Sequence, residues 1–461
     1  MFVACCPQPP PAHAPPGAPA GSETPAQAPT AVTVEMPPEE VTEPNAVATV
    51  AVGEIANADG WSTFHGGPAR TGASSAPAVS APRVLWSARV GIQGYLNGPI
   101  VLGDQVVIVS SSGTAHNKPD PEDGVYALDF KTGKRAWHAH FDQDANGIAA
   151  TKSHVFATSD DGHVYALDLK SGAVAWKQSG KGKMYSHPLI VDGKVIVGDA
   201  MGNLRAFDVT DGKPAWSVGF VGAIRGGASA DDSAIYVTSQ GGDVAKLSFA
   251  GKVIWKKRVM RPPWDGQGKA EAIETYAPPL LDGGMLIIPF ARDTYYKDVP
   301  ALLALDSKNG KERWRSKGPG SWGNLRLLPV SAAGALVYAE PYSGDIVGIA
   351  SSTGRMLWRN TAGPCFFPSW SSPAAAGDVA YVARFDGTLH AVRAASGKEL
   401  WQVYLGDKRH AGKPRPSFPK AKYGCEWQVP VGNPIYSPVA VANDGTILVG
   451  SGEGFLYALG S

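Results

Sequence analysis

The cysteines are the residues of this sequence with the plainest chemical potential, and there are four of them: Cys5, Cys6, Cys365 and Cys425. The letters FVAC, which end at Cys5, resemble a bacterial lipobox, whose cysteine is lipidated after a signal peptide is removed. Only four residues precede Cys5, so this interpretation requires a signal peptide encoded upstream of Met1. We expect Cys5 to be a lipidation site; the alternative is two chance cysteines in a disordered tail.

Motifs for catalysis and metal binding are missing from the sequence. It contains no H-E-x-x-H, no P-loop and no G-x-S-x-G, and its ten histidines lack the spacing of metal ligands. The net charge is +1; residues 1–57 hold six glutamates and no Lys or Arg, which leaves 42 basic and 35 acidic side chains (41 minus 6) in the rest. This balance, without any nucleic-acid-binding motif, argues against nucleic acid as a partner.

The strands and turns that would position functional side chains recur along the chain as a repeat. An apolar strand such as VYALD is followed by a glycine and, four residues later, by a tryptophan, and this spacing is the same in seven copies. Successive tryptophans lie 39, 40, 39, 59, 44 and 43 residues apart, a period typical of four-stranded propeller blades. The seven pairs are Gly133/Trp137, Gly172/Trp176, Gly212/Trp216, Gly251/Trp255, Gly310/Trp314, Gly354/Trp358 and Gly397/Trp401.

Each part of the repeat has a physical role. The alternation in VYALD suits a strand packed between neighbouring strands, and the glycine supplies the positive φ that a tight turn needs. A tryptophan at a fixed height on the outgoing strand is expected to pack against the next blade, with its indole N–H on a backbone carbonyl.

The strand count predicts how the ring closes. Strands of the VYALD type number eight, but the last, at 455–461, ends before any tryptophan strand. The segment RVLWSARV at 83–90 carries Trp86 in the repeat position with no such strand before it. Pairing of 83–90 with 455–461 would complete the last blade and leave no open edge in the ring. We therefore predict an all-β fold, an eight-bladed β-propeller of four-stranded antiparallel blades.

Composition divides the chain into four segments. Residues 1–6 are a lipobox remnant, 7–57 a Pro/Ala-rich acidic tether, 58–82 an N-terminal lead-in, and 83–461 the propeller. The tether has too little apolar surface to offset its conformational entropy, so we expect it to be disordered.

The repeat resembles a known family. The pattern ALDxxTGxxxW, with WSTFHGGPARTG at Trp61–Gly72, is similar to the bacterial pyrroloquinoline-quinone-like (PQQ-like) propeller repeats, and the likeness extends from about Trp61 to Ser461. The resemblance implies the fold. It does not select a function, because the family spans quinone enzymes, non-enzymatic assembly lipoproteins and sensor domains.

The quinone enzymes of this family hold PQQ on the propeller axis, beside a calcium ion and a disulfide between adjacent cysteines. Here the adjacent pair, Cys5 and Cys6, lies in the tail, and no C-x-x-C-H haem motif is present. Four residues could reach the axis as ligands, although solvated loop carboxylates are commoner than metal ligands: Glu271, Glu274, Asp293 and Asn324. We expect no cofactor; PQQ with calcium belongs only to the alternative that the protein is an oxidoreductase.

The long insertions are all predicted on one face of the ring. In a blade with strands A to D, counted outward from the axis, the B–C and D–A connections share one face, which we call the loop face. They include all five insertions: 116–123, 261–276, 292–300, 360–370 and 406–432. Rigid scaffolds commonly carry function on such loops, and aromatic residues with arginine are enriched at protein interfaces. We predict partner binding by Trp264, Tyr295, Tyr296, Phe366, Phe367, Trp370, Arg409, Arg415, Tyr423 and Trp427.

Two further expectations concern this face. Its aromatic residues could instead fold the loops onto each other, with the cations solvated. Cys365 and Cys425 fall in consecutive D–A connections, where a disulfide closing a loop of about 60 residues would contribute about 4 kcal/mol in the chain-entropy model. Such a bond would place the protein outside the cytoplasm; the alternative is two independent buried thiols.

The sequence is consistent with functions of two different classes. The first is a non-catalytic scaffold of the bacterial envelope, resembling the family's lipoprotein subunit that assists β-barrel folding into the outer membrane. It would reside in the periplasm, anchored through Cys5, with the β-barrel assembly machinery as its partner. The alternative is a periplasmic PQQ-dependent oxidoreductase of the alcohol or sugar dehydrogenase type, or a sensor that binds a small ligand in the central channel.

Overall fold

A computed structural model describes ten stretches of the chain: residues 60–113, 118–180, 182–261, 271–272, 274–289, 302–316, 327–340, 344–361, 369–413 and 434–461. It also describes the backbone of Thr33–Val34. No helix in these stretches is long and apolar enough to cross a membrane.

The described strands form eight antiparallel sheets of four strands, the blades of an eight-bladed β-propeller, as the repeat predicts. We number the blades along the chain and give their strands from the axis outward. Blades 1 to 4 are Ile100–Leu102, Val106–Ser112, Asp123–Asp129, Arg135–His140; Ala145–Ala150, His154–Ser159, His163–Asp168, Val174–Ser179; Leu189–Val191, Lys194–Gly198, Asn203–Asp208, Pro214–Gly219; and Ala228–Ala230, Ile235–Thr238, Asp243–Leu247, Val253–Arg258.

The second half of the ring repeats this arrangement. Blades 5 to 8 are Leu280–Asp282, Met285–Pro289, Leu302–Asp306, Glu312–Arg315; Val330–Ala332, Ala335–Ala339, Ile346–Ala350, Met356–Asn360; Ala374–Ala376, Val379–Ala383, Thr388–Arg393, Glu399–Tyr404; and Ala440–Val441, Ile447–Gly450, Phe455–Gly460, Arg83–Arg89. A short pair, Met260–Arg261 with Glu271–Ala272, follows blade 4.

The ring closes through strands from opposite ends of the propeller. Arg83–Arg89 pairs antiparallel with Phe455–Gly460, and Trp86 lies opposite Ala458. The predicted closure of 83–90 on 455–461 is therefore confirmed. The final strand is also part of the core, since Leu456, Tyr457 and Leu459 are at most 1% exposed.

One contact recurs between every pair of adjacent blades. The indole N–H of the repeat tryptophan on each outer strand donates to a backbone carbonyl of the next blade, at 2.8 to 3.4 Å. The eight donor and acceptor pairs are Trp86 and Phe130, Trp137 and Leu169, Trp176 and Val209, Trp216 and Phe249, Trp255 and Ser307, Trp314 and Ser351, Trp358 and Ala394, and Trp401 and Val79.

The repeat tryptophans are not equally buried, although the sequence pattern treats them as equivalent. Four of them are at most 9% exposed: Trp86, Trp176, Trp216 and Trp314. The other four are partly exposed: Trp137, Trp255, Trp358 and Trp401. The fixed spacing therefore predicts the hydrogen bond of each indole but not the extent of its burial.

The repeat glycine of the next blade lies against each indole. At Gly212, φ is +72°, and a Cβ atom would lie 2.7 Å from Trp176 Cδ2. Glycine is thus required for two reasons: the backbone has a positive φ, and a Cβ atom would clash with the tryptophan. The other glycines have positive φ and lie against their tryptophans in the same way: Gly133 on Trp86, Gly172 on Trp137, Gly251 on Trp216, Gly310 on Trp255, Gly354 on Trp314 and Gly397 on Trp358.

The contact between blades 7 and 8 has no glycine turn, because the two outer strands of blade 8 come from opposite ends of the propeller and no turn joins them. Trp401 donates to the carbonyl of Val79 at 2.8 Å, and the amide of Val79 donates to the hydroxyl of Tyr381 at 2.9 Å. The segment just before the outer strand of blade 8 therefore supplies the acceptor carbonyl that the glycine turn region supplies in the other blades.

The lead-in segment winds around the axis along the inner strands. Gly60–Trp61 adds to blade 1, and Ala73–Ser74 adds to blade 7. Between them, carbonyls of the segment accept amide hydrogen bonds of 2.8 to 2.9 Å from the inner strands of blades 2, 4, 5, 6 and 7: Ser62 from Ala150, Pro68 from Ala230, Ala69 from Leu281, Thr71 from Ser331 and Gly72 from Ala375. One short segment thus forms backbone hydrogen bonds with the inner strands of most of the blades.

A buried arginine reinforces this hub. Arg70 is 0% exposed, and its guanidinium donates to the hydroxyl of Thr63 at 2.6 Å and to the carbonyls of Phe64 at 2.8 Å and Pro188 at 3.0 Å. Burial lowers the pKa of Arg70 to about 9. His65 beside it is also buried, and burial lowers its pKa to about 4 in spite of the nearby carbonyls.

Removal of the last eight residues, 454–461, should abolish the cooperative thermal transition, because the outer strand of blade 8 would lose its partner and the ring would open. Removal of eight residues from the tail, 7–14, is the control and should leave the transition in place. Circular dichroism during heating measures both. Equal melting temperatures for the two deletions would contradict the closure.

Gly212→Ala should lower the free energy of unfolding by about 2–3 kcal/mol, since the new methyl group meets Trp176 and the left-handed φ is strained. Gly219→Ala in the same blade is the matched control: its Cβ meets no atom within 4 Å, so the change should be nearly neutral. Denaturant titration gives both values. A Gly212→Ala protein as stable as Gly219→Ala would show that the contact contributes little.

Candidate functional site

The predicted partner-binding residues fall largely outside the described stretches. Trp370 and Arg409 are described, whereas the other eight are not, and they stay predictions: Trp264, Tyr295, Tyr296, Phe366, Phe367, Arg415, Tyr423 and Trp427. The cysteines Cys5, Cys365 and Cys425 also lie outside the described residues. The candidate site must therefore be built from the parts of the loop face that the structure describes.

The repeat tryptophans take no part in this site. Each is committed to its interblade hydrogen bond on an outer strand, away from the axis, so the indoles act in the fold rather than in binding. This holds for the fully buried rings and for the partly exposed ones alike: Trp86, Trp137, Trp176, Trp216, Trp255, Trp314, Trp358 and Trp401.

Trp370 belongs to an aromatic cluster on the loop face of blades 7 and 8. Its ring lies 5.2 Å from that of Phe385, at 80°, and the ring of Phe385 lies 4.4 Å from that of Tyr436, at 68°. These edge-to-face arrangements are favourable for aromatic pairs. Trp370 thus makes contacts within the face, as the alternative reading expects, and it also stays partly exposed.

A cation between two tyrosines lies on the same face of blades 3 to 5. The guanidinium carbon of Arg225 is 4.4 Å from the ring centre of Tyr185 and 5.5 Å from that of Tyr276. The three residues precede the inner strands of three consecutive blades, so they lie near the axis. Such cation–π contacts hold the arginine in place without neutralising its charge. We call the six residues of these two clusters the mouth collar: Tyr185, Arg225, Tyr276, Trp370, Phe385 and Tyr436.

Two exposed apolar side chains accompany the mouth collar. Met201 is 67% exposed in the B–C turn of blade 3, and Val221 is 41% exposed in the connection from blade 3 to blade 4. Glycines lie beside both: a Cβ on Gly182 would lie 3.6 Å from Met201, and one on Gly241 would lie 2.6 Å from Val221. Every other large apolar side chain exposed in the described stretches lies on an outer strand, at Leu85, Val174, Ile254, Met356, Leu357 and Leu400. We call Met201 and Val221 the apolar pair.

Arg409 lies in an exposed turn after the outer strand of blade 7. The turn is anchored to its surroundings: the amide of Lys408 donates to the carboxylate of Glu453 at 2.9 Å, and Asp407 pairs with His410 at 2.8 Å. The cations predicted for this loop are therefore accompanied by carboxylates in its described part.

A polar cavity of about 300 Å³ lies between blades 6 and 7. Among its lining residues, Arg384 pairs with Asp386 at 2.8 Å, and His390 bonds to Glu399 at 2.9 Å. Burial lowers the pKa of His390, and the hydrogen bond to His390 lowers the pKa of Glu399. Because these groups bond to one another, the cavity is better explained by the packing of the two blades than by ligand binding.

One of the four residues that could bind PQQ and calcium has a described side chain. The carboxylate of Glu274 lies 3.5 Å from the Tyr276 hydroxyl, whereas the side chains of Glu271, Asp293 and Asn324 lie outside the described residues. No three His, Cys, Asp or Glu side chains in the described stretches are grouped so that they could hold a metal ion. The absence of a cofactor stays a prediction.

Most residues of this site are not among those predicted from the sequence. Tyr185, Arg225 and the apolar pair lie in short connections, whereas the predicted residues lie in the long insertions. A signal was available: Arg225 lies three residues before the inner strand that begins at Ala228, and Tyr185 four residues before the one at Leu189. Aromatic or cationic residues just before an inner strand point towards the axis of a propeller and can be sought at that position.

Comparisons with known proteins place this chain in a family. The family model described as outer membrane protein assembly factor BamB matches residues 121–223, 200–366 and 289–415. BamB of Burkholderia pseudomallei is 25% identical over 302 residues, which are 60% of this chain and 68% of that protein.

Among solved structures, BamB of Moraxella catarrhalis superposes with a TM-score of 0.58 at 19% identity, over 83% of this chain and 98% of that one. A quinohemoprotein alcohol dehydrogenase of Comamonas testosteroni superposes with a TM-score of 0.63 at 15% identity, over 88% and 82%. These likenesses show the propeller fold. The three family-model matches run together from 121 to 415, well over half of the 461 residues, and the chain therefore belongs to the BamB family of outer membrane protein assembly factors.

Proposed function

We propose that this protein is a non-catalytic scaffold of the bacterial envelope that takes part in outer-membrane protein assembly by docking a partner protein on its loop face. Membership of the BamB family supports the process. The observation that carries the docking mode is the apolar pair, two exposed side chains on the same face as the mouth collar. The partner we propose is a component of the outer-membrane β-barrel assembly machinery.

Backbone hydrogen bonds fix the two turns that carry the apolar pair. The amide of Met201 donates to the carboxylate of Asp199 at 2.9 Å, and the amide of Val221 donates to Asp243 at 3.0 Å. Asp199 and Asp243 are nearly fully buried, and each is paired with an arginine, Arg205 and Arg258 respectively. The backbone of turns fixed in this way loses little conformational entropy on binding, so less of the gain from burying Met201 and Val221 is offset.

The mouth collar adds specificity to this apolar contact. Arg225 is the collar's cation, and the described residues offer it two aromatic faces and no ion pair. A partner that brings a carboxylate to Arg225 would gain a charge-assisted hydrogen bond in a partly desolvated site. The ring of Trp370 supplies aromatic area on the other side of the axis. We therefore propose a partner surface that is apolar at its centre and carries an acidic side chain.

The alternative functions remain testable against this one. A PQQ-dependent oxidoreductase shares the propeller, as the superposed alcohol dehydrogenase illustrates. The scaffold proposal expects no bound quinone absorbance and no oxidation of alcohols or sugars after addition of PQQ and calcium with an artificial electron acceptor. Turnover in that assay would overturn the scaffold proposal.

The double substitution Met201→Asp with Val221→Asp should reduce co-purification of the β-barrel assembly machinery about tenfold or more, because two charges would be buried at the centre of the contact. Affinity purification of the full-length protein from solubilised envelopes, with quantitative mass spectrometry, measures the recovery. Both side chains are exposed, so the thermal transition should not change.

Ile254→Asp is the matched control, since Ile254 is 54% exposed but lies on the outer strand of blade 4. It should leave the recovery unchanged. If the double variant retains the machinery as well as Ile254→Asp does, the apolar pair is not the docking site.

A further inference from the structure

The outer strands of the eight blades differ in one respect that bears on binding. Each outer strand has one edge that the blade leaves unpaired, and such edges are commonly protected from other strands by charged side chains. Seven of the eight contain at least one charged residue, from Arg135 in blade 1 to Arg83 and Arg89 in blade 8. The outer strand of blade 3, Pro214–Gly219, reads PAWSVG and contains none.

The uncharged edge is the one that carries an additional strand. The backbone of Thr33–Val34 pairs antiparallel with it, Thr33 opposite Val218 and Val34 opposite Ser217. Blades 1 and 7 also have a fifth strand, but theirs come from the lead-in segment and add at the axis. Within the described part of the chain, blade 3 is the only blade that is extended at its outer edge.

The segment that supplies this strand has the composition of a β-strand. Residues 30–34 read TAVTV, four of them β-branched, in a tail otherwise rich in proline and alanine. Pro29 precedes the run, and Pro37 and Pro38 follow it. Proline cannot donate a backbone hydrogen bond to a ladder, so the sequence between these prolines sets the greatest length that the added strand can have.

We propose that the outer edge of blade 3 is a strand-docking surface and that its occupant is this chain's own segment around Thr33–Val34. The segment docks selectively on this edge, because charged residues protect the outer edges of the other seven blades. The run of β-branched residues suits the one edge that has no charge. The contact is also reversible: a strand so short forms few backbone hydrogen bonds, each of small net stability. An extended uncharged strand of another protein would have to displace the segment to use the same edge.

Hydrogen exchange of the full-length chain tests the occupancy. Val34→Pro removes a backbone N–H from the paired segment and restricts its backbone, so amides in residues 214–219 should exchange about fivefold faster, whereas those in the outer strand of blade 2, 174–179, should not change. Val47→Pro is the matched control in the same tail and should leave both strands as they are. Equal exchange of 214–219 in the two variants would overturn the proposal.

Disulfide trapping tests the register and the choice of edge. Val34→Cys with Ser217→Cys places thiols at paired positions, and mild oxidation should link them in most molecules, with the linked peptides identified by mass spectrometry. The matched control is Val34→Cys with Lys177→Cys, because Lys177 follows the repeat tryptophan of blade 2 as Ser217 follows that of blade 3. Equal yields at the two edges would overturn the proposed selectivity.

Discussion

Every blade of this ring is joined to the next by a tryptophan indole that donates its N–H to a backbone carbonyl, and at seven of the eight junctions the indole also lies against a glycine turn. The contact sets the height and angle of each blade relative to its neighbour, because the indole is rigid and a glycine turn places no side chain between them. Eight repetitions bring the last blade back to the first. The turn side of the ring is thereby committed to structure, and the opposite face is left to vary in the lengths of its loops.

This division explains which parts of the molecule could be predicted from the sequence. The Gly-to-Trp spacing is a local pattern with a local cause, so the blades and the closure at Trp86 could be predicted from it. The hub around Arg70 could not be, although WSTFHGGPARTG was recognised as a motif, because its contacts are mostly backbone hydrogen bonds to residues far away in the sequence. Arg225 is an intermediate case: its position just before an inner strand can be read from the sequence, whereas its contacts with two tyrosines from two other connections cannot.

The same propeller fold occurs in an alcohol dehydrogenase and in outer membrane protein assembly factors, so the fold by itself does not determine the function. Here the residues of the mouth collar are aromatic rings and a half-buried arginine. An arginine between tyrosines offers a fixed positive charge and flat apolar surface, which suit recognition.

The closure of the ring also fixes an order of events in biosynthesis. Arg83–Arg89 is made before any other strand of the eight blades, yet its partner Phe455–Gly460 follows only after the other seven blades. Until then the inner hub has no complete ring to bind, and a pairing over so many residues is slow because of its loop-closure entropy. The propeller therefore cannot finish folding before that strand has been synthesised. The ring of such a chain stays open until the last blade has been synthesised, so the first blade keeps an unpartnered side for most of that time.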